Sequence, residues 1–180
     1  MCIAVIAYTP RPYAGDSGTE NGVFYSISNT MQQIFDAIID RHRREVAASL
    51  KAGAFDDWDV KQVGTMFGYI WHDAPLPMAW GVENFAAVRY DGRIALKFHV
   101  QGYKFTGNII VTYNEGRDYY EIWKEGSDGK GEKFAEDVCF VDLVALIDSE
   151  VETDDPDSDD YQTKAGNFVA NLCGVYNAKP

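Results

Sequence analysis

Between positions 86 and 124 the chain alternates hydrophobic and polar residues in short runs separated by turn residues. After Asp91-Gly92, Ile94, Leu96, Phe98 and Val100 alternate with Arg93, Ala95, Lys97, His99 and Gln101. A period of two places the first set on one face of a strand and the second on the other. Asp-Gly between two such runs is a hairpin signal, because glycine readily takes the positive φ of a two-residue turn. Gln101-Gly102 and Asn114-Glu115-Gly116-Arg117 mark two further turns. The stretch predicts four antiparallel strands, with Ile94, Leu96, Phe98 and Val100 buried and Lys97 and His99 more exposed. The polar face, with Lys97, His99, Gln101 and Thr112, is expected to be open to solvent.

On either side the period lengthens towards that of a helix. Met31, Ile34, Phe35, Ile38, Ile39, His42, Val46 and Leu50 fall on one stripe. Asn29 with Gln32 three residues on reads as a helix start, and Gly53 as its stop. Positions 23–27 before it read as a short strand, preceded by a long polar loop over 9–22. A second helix is expected from Asp57 to Trp71, carrying Val60, Val63, Phe67 and Ile70 and weakened by Gly64 and Gly68. Pro75 and Pro77 predict irregular chain over 72–84. Positions 126–131 read as a turn. Phe140, Leu143, Val144 and Ile147 predict a third helix, and Ala165, Phe168, Val169, Leu172, Cys173 and Tyr176 a fourth from Thr163. Together these elements predict a single α+β domain over 1–180. It is a four- to five-stranded antiparallel meander with three to four helices packed on one face.

Composition narrows the functional classes. The 180 residues are 46% hydrophobic and 14% aromatic, which argues for a packed core and against disorder. No apolar run approaches the roughly 20 residues that span a bilayer. The apolar opening from Cys2 to Tyr8 lacks basic residues before it and reads as a buried strand. Cys2, Cys139 and Cys173 are odd in number and widely spaced, which suits reduced thiols in a cytoplasmic protein. A net charge of −12 argues against direct contact with nucleic acid or anionic membranes. More than half of that excess comes from Glu150, Glu152, Asp154, Asp155, Asp157, Asp159 and Asp160, with no Lys or Arg among them. Positions 150–163 are therefore expected to form a flexible acidic loop.

Candidate chemistry is sparse. Gly15-Asp16-Ser17-Gly18 resembles the serine strings of trypsin-like and GDSL-type hydrolases. Too few residues precede it for the upstream partners of the first group. The last histidine is His99, so the C-terminal Asp-x-x-His of the second has no counterpart. A serine without a base is a weak nucleophile. Met1-Cys2 before an apolar run resembles the start of N-terminal-nucleophile hydrolases. That resemblance implies, as an alternative function, an amidohydrolase in which the freed amino group of Cys2 serves as base beside its thiol. Asp155-x-Asp157-x-Asp159 has the opening of a calcium loop, but the sixth and twelfth positions are Asp160 and Gly166 rather than Gly and Glu. His42, His72 and His99 are dispersed, so no metal site and no cofactor is expected.

The richest candidate for contact is the aromatic segment 67–85, with Trp71, His72, Met78, Trp80 and Phe85 as binding residues. Trp71 continues a helical stripe and is expected to be buried. Trp80, between Pro77 and Gly81, is expected at the surface. The reading that emerges is a non-enzymatic cytosolic protein that binds another protein, accessory or inhibitory in type. Its composition suits a phage or mobile element. The polar sheet face, with Lys97, His99, Gln101 and Thr112, is a second candidate surface. Asp154, Asp155, Asp157, Asp159 and Asp160 form an acidic surface that reads first as a solvated linker, and a small-ligand site in the aromatic segment is a further alternative.

Overall fold

The structure is a computed structural model that describes residues 21–72 and 75–152. Contacts group the chain into two units, Met1–Ile34 and Phe35–Pro180. The described part of the first unit is helical and belongs to α1 (Asn21–Ala52). The strand expected over 23–27 and the helix start at Asn29 are therefore corrected. No proline and no glycine interrupts 23–52, and Gln, Met, Arg and Ala residues there favour helix. The helix closes where the Gly53 amide donates to the Ser49 carbonyl at 3.0 Å.

The second unit is an α+β body. α2 (Asp57–His72) begins one residue after its cap. The Asp59 amide donates to Asp56 Oδ1 at 2.9 Å and the Asp56 amide to Asp59 Oδ2 at 3.2 Å. This reciprocal pair satisfies two orphan N–H groups, so the cap is Asp56 rather than Asp57. α3 (Pro75–Ala79) is a single turn where irregular chain was expected. Its prolines lie in the first turn, whose N–H groups have no helical acceptor anyway.

The sheet comprises β1 (Glu83–Tyr90), β2 (Arg93–Gln101), β3 (Thr106–Asn114), β4 (Tyr119–Glu125) and β5 (Gly131–Val138). They lie in sequence order, and each pair of neighbours is antiparallel. Asp91 at φ 50° and Gly92 at φ 74° make the β1–β2 hairpin a turn with positive φ at both centres. The register Leu96↔Val111↔Ile122 and Phe98↔Ile109 aligns the apolar faces of β2, β3 and β4. Ile94, Leu96, Phe98 and Val100 are buried while Lys97 and His99 are half-buried, as the alternation predicts. The core joins this face to Val63, Met66 and Ile70 of α2 and to Leu143, Val144 and Ile147 of α4 (Leu143–Val151). The third helix thus starts after Phe140, not at it. Its last turn takes in Glu150 and Val151, and positions 153–163 of the expected acidic loop lie outside the described residues.

Candidate functional site

The aromatic residues singled out in the sequence go to different places. Trp80 is enclosed in the core, at 0% exposure, which corrects the expectation that it lies at the surface. Its indole N–H donates to Asp148 Oδ1 at 2.7 Å, and its carbonyl accepts from the Gln101 amide at 2.7 Å. The turn of α3 and the positive φ of Gly81, 59°, fold the chain back so that the ring points inward. Trp71 is buried, as its helical stripe predicts, and Phe85 is buried and stacked on Phe98 at 4.8 Å. Met78 packs half-buried against the core, and His72 is exposed. Trp71, Trp80 and Phe85 thus spend their aromatic surface on packing, whereas His72 remains exposed. Cys2 and Asp154, Asp155, Asp157, Asp159 and Asp160 lie outside the described residues.

Glu150 in the last turn of α4 and Glu152 just after it have different surroundings. Glu150 Oε1 pairs with Lys124 Nζ at 2.5 Å. Glu152 is 6% exposed, and its Oε1 meets no hydrogen-bond donor. Burial, reinforced by Asp148 and only partly offset by the Tyr103 backbone N–H, pushes its carboxyl up to about 7.

Phe140, which the sequence reading placed on the stripe of the third helix, is exposed, and so are Val141 and Leu146. Phe140, Val141 and Leu146 sit on the turn into α4 and its first turn, at 49%, 65% and 37% exposure. Phe140 stacks on Tyr69 of α2 at 4.9 Å, and Tyr69 meets Tyr120 edge-on at 6.0 Å. Tyr120 in turn packs on Tyr113 at 5.3 Å. This aromatic row anchors Phe140 while Val141 projects. Asp142, exposed, follows directly.

The two edges of the sheet differ. The outer edge of β1 is covered by α1: Phe85 N–H donates to Glu45 Oε2 at 3.0 Å and Ala87 N–H to Ser49 Oγ at 2.8 Å. His42 Nδ1, at 2.8 Å from the same Glu45 oxygen, helps to hold that carboxylate in place. Burial keeps the His42 imidazole below its usual pKa despite Glu45. β5 has β4 on one side and, among the described residues, no strand on the other. A shallow groove of about 330 Å³ runs along it, lined by Lys133, Phe134, Ala135 and Glu136.

The sheet face turned away from α2 is not the open polar surface expected. Ala95 and Ile110 are fully buried there and Thr112 nearly so. Tyr90 of β1 and Trp123 of β4 meet across it with ring centroids 5.2 Å apart. Ion pairs ring this second small core. Glu121 Oε1 accepts from Arg93 at 2.6 Å and its Oε2 pairs with Lys133 Nζ at 2.8 Å. Burial alone would raise Glu121, but Lys133, Arg93 and Asn114 outweigh it and hold the carboxyl at about 2. Lys97 and Asn108 both donate to Glu125 Oε2, at 2.5 and 2.8 Å. Each of these charges has a partner of opposite sign on the same face, while the buried Trp123 indole N–H has no acceptor among the described residues.

A second cleft, about 310 Å³, lies between the start of α2 and the β1–β2 and β3–β4 turns. Its two guanidinium groups are both committed, Arg89 to Asp59 and Arg93 to Glu121. Among the described residues no cluster of three His, Cys, Asp or Glu side chains is placed to hold a metal ion. No helix among them is long and apolar enough to cross a membrane. Comparison with protein-family models, with curated proteins and with solved structures finds no match to this chain.

Proposed function

We propose that this chain is a non-enzymatic protein-binding module, accessory or inhibitory in type and working in the cytosol, that meets its partner through the step formed by Phe140, Val141 and Leu146. The exposure of Phe140 and Val141 as adjacent large apolar residues, at 49% and 65%, carries the reading. Single exposed apolar residues are ordinary on a surface, whereas neighbouring ones mark contact sites. Phe140 is held by its stack on Tyr69, so its ordering cost is largely met before binding.

The test uses Val141→Asp, a change at an exposed position that leaves the core intact. Tagged parent and variant proteins are used to capture partners from the native host, with melting temperature measured alongside. The expected outcome is a protein retained by the parent and lost by the variant at unchanged stability. A charge in the centre of a contact patch weakens binding by about 2 kcal/mol or more. Equal recovery by both proteins, or no specific recovery by the parent, overturns the proposal.

A further inference from the structure

We infer that the open edge of β5 takes up an extended, basic segment of another protein as a sixth strand. The inference rests on the protein-binding reading and gives it a mode of contact. A sheet edge presents a row of backbone N–H and C=O groups that pair with any strand able to reach them. In this sheet the β1 edge is already capped by Glu45 and Ser49 of α1. Among the described residues no strand pairs with the outer edge of β5, and a shallow groove is lined by Lys133 to Glu136. β5 also leads directly to Phe140 and Val141, so a segment lying along it would reach the exposed apolar step.

Charge selects the occupant. β5 carries Glu132, Glu136 and Asp137 at 71%, 66% and 50% side-chain exposure. Its single cation, Lys133, lies closer to Glu121 of β4, at 2.8 Å, than to Glu136, at 3.7 Å. Among the described residues Glu132 has only a 3.7 Å contact with Lys124, while Asp137 is held by Arg117. Two copies of this edge would set acid against acid, which disfavours self-pairing. A strand alternating Lys or Arg with apolar residues would place cations beside Glu132 and Glu136 and complete the ladder.

The experiment uses the full chain and a blocked heptapeptide of alternating Lys and Val, with amide chemical shifts followed by NMR. Perturbations are expected to centre on residues 131–138. An analogue N-methylated at every residue keeps the side chains and charges but has no backbone N–H groups. It is expected to bind at least about tenfold more weakly, since several backbone hydrogen bonds are lost. Glu132→Gln with Glu136→Gln should weaken the parent peptide by about two- to fivefold and flatten its salt dependence. Equal binding of the two peptides, perturbations centred elsewhere, or no binding overturns the inference. If the peptide fails while a native partner is still lost with Val141→Asp, strand addition falls and the protein-binding reading stands. If both fail, that reading falls with it.

Discussion

Glu121 and Glu152 have the same exposure, 6%, yet their carboxyls are driven in opposite directions, to about 2 and about 7. The difference lies in what faces them. Glu121 has two cations and an amide, while Glu152 has the Asp148 carboxylate one helical turn away and a single backbone N–H. A depressed folded pKa adds stability that is present above the ordinary carboxylate range and lost as pH falls through it towards 2. A raised one adds stability that is present below that range and lost as pH rises through 7. Glu121 therefore weakens the fold in acid, and Glu152 weakens it in mild alkali. Glu152→Gln keeps the shape of the neutral acid and removes the ionisation. The variant should match the parent near pH 4 and exceed it by about 3 kcal/mol at pH 8, the energy of a shift of that size. Denaturant melts at the two pH values check this, and an equal difference at both would mean that the side chain acts through packing alone.

Among the elements, β2 was the most legible and β5 the least. Strict alternation from Ile94 to Val100 announced a strand with one buried face, because one side of β2 supports the whole core. β5 carries Glu132, Lys133, Glu136 and Asp137, and its pairing with β4 is interrupted by register shifts. A bulged edge strand has no clean period to read. Trp80 was misplaced for another reason: the group that satisfies its indole, Asp148, is 68 residues away. The second small core was invisible because Tyr90 and Trp123 come from strands that are not neighbours in the sheet. That core depends on Gly131, where a side-chain Cβ would run into the Tyr90 hydroxyl and ring. Gly131→Ala must push Tyr90 off Trp123 and should cost about 1–3 kcal/mol, as overpacking does. At Gly126 a Cβ meets nothing closer than Asp128 Oδ1 at 3.7 Å, so Gly126→Ala should stay within about 0.5 kcal/mol of the parent. Equal effects at the two glycines, by chemical denaturation, would show that the Tyr90–Trp123 contact holds nothing together.

At the scale of the whole molecule the dominant quantity is a net charge of −12. Asp154, Asp155, Asp157, Asp159 and Asp160 supply five of those charges within seven positions. The segment has almost no apolar side chain to contribute to a core, and its charges repel one another in any compact state. The excess nevertheless gives the protein a field that would speed encounter with the basic segment proposed above more than it would strengthen the final contact. Changing all five aspartates to Asn separates these two effects. Thermal stability should remain the same or rise slightly, because repulsion is relieved and no packing is lost. Association with the Lys-Val peptide should slow, and its rate should depend less on salt, while the dissociation rate changes little. Stopped-flow measurements at low and moderate ionic strength give both rates. A collapse of the variant's melting temperature, with calcium raising that of the parent, would instead identify the segment as a metal-binding loop, and an unchanged association rate would show that the acidic segment plays no part in recognition.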